Sequence, residues 1–343
     1  MTPAPFGRLL DGQPVAKYTL RNAAGASADV ITYGGIITAL RMPDRHGKFA
    51  DVVLGFDRLD AYVAGHPYFG AIIGRIAGRV SAGRLQLPDG VRQLALTDGP
   101  NHLHGGRVGF DKRIWSVLAA SPNSLRLFYR SPDGEESYPG NLDVTVTYTL
   151  TDRNELVVES EAVSDRVTPL SLAQHSYFNL AGEGSGDVLG HEVQIHAGAV
   201  IPAADDAMTL SGRLAPVAGT GNDFRQARRL GEALPGLFKA HGEHYFLRAT
   251  TAAEPAPVAR VTEPVSGRVL EVSTNDCALQ FYTGVSLDGT LTGKAGRIYH
   301  PHHGLCLECQ GYPDGAHRPE LGDILVHPGR PQKRITIYAF STT

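Results

Sequence analysis

Short runs of alternating apolar and polar residues, broken by turn residues, fill almost the whole of this chain. The clearest places Leu142, Val144, Val146, Tyr148 and Leu150 on one face and Asp143, Thr145, Thr147 and Thr149 on the other, the period of two that a half-buried strand requires. After Thr151-Asp152-Arg153-Asn154 comes a second run at 156–162, so the pair predicts a hairpin. Runs at 15–21, 29–33 and 36–42 open the series, and others at 193–197, 258–261, 269–273, 279–283, 304–310 and 335–340 continue it. Helical periodicity is confined to 57–62 and 224–234, each suited to a short helix inside a connection.

Composition supports an all-β reading. The 343 residues include 40 glycines and 22 prolines, yet 42% are hydrophobic, so the chain is turn-rich without being disordered. No composition shift or flexible linker divides it. The expectation is a single domain over residues 1–343, built as a large antiparallel β-sandwich. A formal charge of -3 argues against a nucleic-acid groove or an anionic membrane surface as partner. No apolar run approaches the ~18 residues of a membrane helix. The first residues lack the basic and apolar regions of a signal peptide, and the three cysteines are an odd number that suits a reducing compartment. The expected location is cytoplasmic.

Two runs carry candidate chemistry. In 304–310, Leu305, Leu307 and Cys309 share one face, and Cys306, Glu308 and Gln310 share the other. In 170–180, Leu170, Leu172, Phe178 and Leu180 fall on a face with Gln174 and Ser176, while Ser171, Ala173, His175, Tyr177 and Asn179 fall opposite. Each run offers one proton-transfer group on a polar and aromatic face, backed by an apolar face that can hold it still. Acid–base chemistry on a polyhydroxylated substrate needs such a surface. A lone Glu or His in a strand is more often structural than catalytic, so the rest of the chain has to decide.

Other motifs are weaker. Gly182-Glu183-Gly184-Ser185-Gly186 opens no helix and reads as a surface loop rather than a phosphate cradle. Cys306-x-x-Cys309 would place its sulfurs on opposite faces of a strand, with no second Cys pair to complete a zinc site. Among the 14 histidines, His102-x-His104 and His300-x-His302-His303 cluster, but the Glu that a jelly-roll metal site wants beyond His104 is replaced by Gly105-Gly106-Arg107-Val108-Gly109. No metal is expected.

The segments Gly74-Arg75-Ile76-Ala77-Gly78-Arg79, Asn101-His102-Leu103-His104-Gly105-Gly106 with Gly109-Phe110-Asp111-Lys112 and Trp115, and Tyr138-Pro139-Gly140-Asn141-Leu142 stand in a distinctive order. They are followed by His175-Ser176-Tyr177-Phe178-Asn179-Leu180, Gln280-Phe281-Tyr282-Thr283-Gly284, and Cys306-Leu307-Glu308 with Tyr312-Pro313-Asp314. Together, from Phe6 nearly to the end, they resemble the aldose 1-epimerase (galactose mutarotase) family. The resemblance implies the galactose mutarotase-like supersandwich, a free monosaccharide as substrate, no cofactor, and a monomer or homodimer. It implies an isomerase that interconverts the α and β anomers of an aldose, with Glu308 as general base and His175 as general acid. It implies that Arg79, His104, Glu243 and Gln280 line the sugar site. The rival readings are a hexose-phosphate mutarotase on the same scaffold, which should show further Arg or Lys near the site, and a non-catalytic sugar-binding protein, which would lack Glu308 or His175.

The chain departs from the family pattern twice. Gly78 stands where Asn often precedes the substrate Arg, and Glu243 stands where an Asp contacts sugar hydroxyls; both bear on which sugar is preferred. Trp115 and Tyr177 suit either the core or a sugar platform. From ordinary values of about 4.3 for Glu and 6.5 for His, the acid–base pair is expected to be an ionised Glu308 beside a protonated His175, each charge favouring the other.

Overall fold

The computed structural model describes residues 2–343 and is built mostly of strands. Nine strands form the largest sheet. In spatial order they are Ser116–Ala120, Ser124–Ser131, Leu142–Leu150, Glu155–Ser164, Gln332–Thr342, Arg268–Thr274, Ala256–Thr262, Glu192–Ile195 and Arg228–Arg229. All its neighbours are antiparallel. The predicted hairpin supplies its third and fourth strands, with Leu142 opposite Ser164 and Leu150 opposite Leu156. Burial along Leu142–Leu150 alternates strictly, and the five apolar residues are almost fully enclosed. Each such side chain contributes roughly 1.5–3 kcal/mol by leaving water.

Two five-stranded sheets complete the sandwich. One is the amino-terminal meander from Ala4–Arg8 to Phe49–Asp51. The other runs Ala215–Pro216, Ala199–Ile201, His244–Phe246, Ala278–Tyr282 and Cys306–Gln310. Its Tyr245, Leu279, Phe281, Leu307 and Cys309 join one apolar cluster with the inner face of the nine-stranded sheet. The alternate residues His244, Gln280, Tyr282 and Glu308 therefore face away from that core, toward a cleft.

Three expectations need adjustment. The run at 170–180 is extended but is not one strand. Only Ala173–Gln174 pairs as a strand, with Ile72–Ile73, while Ser171 bridges Ile76 and Phe178 bridges both Val53 and Leu305. The segment threads between sheets and gives each neighbour a bond or two. The helix expected at 57–62 lies at Leu59–Ala64, and that at 224–234 shrinks to Leu230–Ala233 with a 3-10 turn at Leu234–Gly236. Trp115 belongs to the core, its indole N–H donating to the Phe110 carbonyl. Among the described residues no helix is long and apolar enough to cross a membrane.

Candidate active site

A cleft of about 260 Å³ opens over the sheet that carries Glu308. Strand pairing sets its floor: Gln280 lies opposite both Glu308 and His244 in register, so the three side chains form one row across the sheet. His175 arrives from the threaded segment, held by backbone bonds to Ala71 and Gly70. Arg79, His104, His175, Glu243, Gln280 and Glu308, every site residue expected from sequence, line this one cleft.

Two of them meet. His175 Nε2 lies 3.5 Å from Glu308 Oε2, and both side chains are nearly sealed from solvent. Glu308 Oε2 has no hydrogen-bond partner otherwise. The imidazole of His175 is sandwiched between aromatic rings, Tyr177 at 5.2 Å and 18° and Tyr68 at 5.7 Å and 27°. Tyr177 is thus a wall of the site rather than simple core. Its stacking fixes the plane of the histidine.

Electrostatics reverse the expectation for this pair. Burial pushes the Glu308 carboxyl up to about 8, opposed by the nearby Arg79 charge. Burial pushes His175 down to about 4. Desolvation is the dominant influence on each group. Burial thus favours the neutral form of both groups, with a proton on Glu308 and none gained by His175.

The walls supply hydrogen-bonding groups. His104 takes the Gly78 N–H at its Nδ1, at 3.1 Å, and burial, with the charges of His175 and Arg79, holds its pKa well below 6.5. A neutral ring that accepts at Nδ1 carries its proton on Nε2, so His104 is a donor. The same reasoning bears on metal binding. His104, His175 and Glu308 offer ligand atoms within 4.8 Å of one another, but a metal would need a lone pair where His104 carries hydrogen. The set matches a polyol better than a cation. Arg79 is aimed by a 2.6 Å bond from its Nε to Asp98, leaving its two terminal nitrogens free to donate. Glu243 accepts from the Ala203 N–H at 3.3 Å, and burial pushes its carboxyl up to about 7.

Local backbone shape explains part of this geometry. Tyr68 and His104 both have positive φ, 63° and 51°, a conformation rare outside glycine and common at functional sites. The chain leaves His104 through Gly105, where a Cβ would stand 1.7 Å from the Gly74 carbonyl oxygen. Only glycine fits there.

The comparisons with known proteins point the same way. The family model described as aldose 1-epimerase matches residues 16–339. The chain is 44% identical over 342 residues to the galactose mutarotase of Rattus norvegicus, covering 99% of this chain and 98% of that one. It is 34% identical over 336 residues to the aldose 1-epimerase of Escherichia coli K12, covering 96% of each. This chain belongs to the aldose 1-epimerase family. Among solved structures, a GalM/aldose epimerase homologue from C. elegans superimposes with a TM-score of 0.89 at 28% identity, over 96% of this chain and 99% of the other. A galactose 1-epimerase from Lactobacillus acidophilus does so with 0.84 at 29%, over 99% and 98%. The antiparallel sandwich is the galactose mutarotase-like fold, as the sequence led one to expect.

Several lining residues of this aldose 1-epimerase family member carry no local signature. Tyr68, Met208, His241 and His244 come from loops and a three-residue strand. His244 is fully buried with both ring nitrogens unpartnered, a polar group waiting on the floor of the cleft. Its position beside Glu243 was the one available sequence signal. Arg75, by contrast, serves the fold. Its guanidinium is spent on Ser131, Thr168 and the carbonyls of Ser131, Pro132, Pro139 and Gly140.

Proposed function

We propose that this protein interconverts the α and β anomers of a free aldose, with Glu308 as general base and His175 as general acid. The observation that carries this reading is the buried Glu308–His175 pair, whose Oε2 and Nε2 stand 3.5 Å apart and open on a cleft lined by hydrogen-bonding groups. Glu308 takes the proton of the anomeric hydroxyl while His175 Nε2–H delivers a proton to the ring oxygen, and the ring opens to an aldehyde. Rotation about the adjoining carbon–carbon bond turns the other face of the aldehyde to the hydroxyl. Ring closure returns both protons by the same route in reverse, so the enzyme ends as it began.

The resting proton sits on Glu308, so the sugar has to move it. Hydroxyl donors brought against the carboxylate, together with the Arg79 charge, favour the ionised base. The proton then crosses to Nε2 and the imidazolium becomes the acid. Arg79 and His104 donate to sugar oxygens near the ring oxygen, while Gln280 and Glu243 receive hydroxyls along the floor and far wall.

A phosphorylated sugar suits the cleft poorly. Arg79 is the one Arg or Lys among its lining residues and is already paired with Asp98, whereas Glu243 and Glu308 both face the ligand. The apolar cluster that joins Tyr18 to Phe340 favours reading the chain as one domain. The direct test follows optical rotation of freshly dissolved α-glucose, α-galactose, xylose and arabinose with the purified protein. Equilibration no faster than in buffer for every sugar would reject the activity, and tight binding without acceleration would favour a sugar-binding protein.

A further inference from the structure

His175 has a second nitrogen, and what it touches bears on how the first one works. Nδ1 points away from the cleft to the Sγ atom of Cys306, 3.6 Å distant, a normal separation for a hydrogen bond to sulfur. Cys306 is completely buried and lies two residues before Glu308 on the same strand and the same face. One strand therefore presents the base to Nε2 and the sulfur to Nδ1. The stacked rings of Tyr177 and Tyr68 fix the plane of the imidazole but have no say over which nitrogen carries hydrogen.

We propose that Cys306 is a positioning residue whose sulfur accepts the Nδ1–H of His175, so that Nδ1 keeps its proton throughout turnover and Nε2 alone exchanges one. The inference rests on the acid role given to His175 above. After the imidazolium gives its Nε2 proton to the ring oxygen, the neutral ring must hold hydrogen on Nδ1, and it must be ready to take the proton back at Nε2 for closure. Nδ1–H needs a partner in that buried place, because an unpaired buried donor is costly. No other side chain around the ring supplies one, which leaves the residue's own backbone as the alternative acceptor. Glu308 faces Nε2, His104 and Tyr68 meet the ring on the cleft side, and Tyr177 offers its face.

The choice of sulfur over a carboxylate has a consequence. A carboxylate at Nδ1 would stabilise the imidazolium and make it a reluctant acid. A thiol is a weak, neutral acceptor, and burial beside Glu308 keeps it from ionising by raising its pKa well above 9. Cys306 thus fixes the tautomer without adding charge to a pair that must pass its proton back and forth.

The test begins with wild-type protein carrying 15N-labelled histidine, the His175 signals being assigned by their absence in His175→Asn. Near pH 7 the neutral ring should show a protonated Nδ1 and an unprotonated Nε2. Cys306→Ala should then mix the tautomers and lower kcat by roughly 10- to 100-fold, the range for partners that orient the second nitrogen of a histidine, with little change in KM. Cys306→Ser, which restores an acceptor, should recover the wild-type tautomer and a kcat above that of the alanine variant. A wild-type ring with its proton on Nε2 would overturn the proposal, whatever the variants do. So would an alanine variant with unchanged tautomer and kcat. Failure of the acid role itself would show separately, as near-normal turnover in His175→Asn.

Discussion

His175 Nε2 stands 3.5 Å from Glu308 Oε2 with both side chains withdrawn from solvent, and burial drives their proton affinities in opposite directions. The carboxyl, ordinarily the stronger acid, rises to about 8, and the imidazole falls to about 4. Between those values the pair holds one proton. Anomer exchange needs that count, because one group must accept a proton while the other gives one. Which of the two holds it at rest matters less than that a sugar can shift it across a short gap. Two groups coupled this closely titrate together.

Activity should follow a bell in kcat/KM with limbs near pH 4 and pH 8. Below the lower limb the pair carries two protons and no base remains. Above the upper limb it carries none and no acid remains. The limbs belong to the free enzyme's pair. Chelation with EDTA should leave the rate intact, since His104 turns a hydrogen toward the cleft. A rate lost to EDTA and restored by a divalent metal would contradict that tautomer. A profile rising steadily past pH 9 would contradict the pair.

Glu308→Gln should fold and bind sugar while losing ~100- to 10,000-fold in rate, as should His175→Asn. The glutamine variant also makes a stability prediction. The folded-state pKa of Glu308 is raised from 4.5 to about 8, so the protonated group is tolerated fully below pH 4.5. That stability is lost as pH climbs through about 8, because the unfolded chain ionises more readily. Glutamine has no charge to bury. The melting temperature of the variant relative to wild type should therefore rise between pH 4 and pH 8.5. An unchanged difference across that interval would mean that Glu308 is not held protonated by burial.

Part of this site is legible in the sequence because strands sort their residues by parity, and the rest through the family resemblance. Alternation alone puts Glu308 and Cys306 on one face of their strand, whereas Arg79, His104, Glu243 and Gln280 enter through the resemblance. Their register was not legible. That Gln280 sits opposite Glu308, with His244 next in the row, depends on pairings between segments far apart in sequence. The run around His175 misled in a different way. Its alternation is real, since His175 and Tyr177 stack as residues two apart should, but its hydrogen bonds go to several segments, so it is not one strand. The reversed proton affinities were beyond reach of the sequence because they come from depth of burial, which is a property of the assembled sandwich.

Gly78 carries a constraint that its neighbours in sequence do not reveal. Its φ is +84°, and a Cβ there would stand 2.5 Å from the ring of Pro313 and 3.2 Å from Gln310 Nε2. Gly78→Asn should therefore destabilise the protein by about 1–3 kcal/mol, as overpacking of a filled site does, and displace the loop that holds Pro313. Pro313→Ala in the same chain should restore much of the loss, which chemical denaturation of the single and double variants would measure. Equal stability of Gly78→Asn and wild type would mean that the loop yields freely. Sugar preference in a Gly78→Asn variant would otherwise report a moved loop rather than an added amide.

Glu243 offers the cleaner handle on sugar choice. Its carboxylate is buried, accepts a 3.3 Å bond from the Ala203 N–H, and is raised to about 7. It therefore meets a ligand as a mixture of acid and carboxylate near neutrality, able to donate to one sugar oxygen or accept from a hydroxyl. Glu243→Asp withdraws the group by about one carbon–carbon bond and loosens it from Ala203. A hydroxyl that met Glu243 would then be left short of a partner, at a cost of ~1–3 kcal/mol if buried. A sugar whose hydroxyl reaches further would lose less. The catalytic efficiencies for glucose, galactose, xylose and arabinose should therefore change rank between wild type and Glu243→Asp. Glu243→Gln should keep the reach but remove the titration, flattening any pH dependence of KM around pH 7. An unaltered ranking in the aspartate variant, with KM unmoved, would take Glu243 out of sugar recognition altogether.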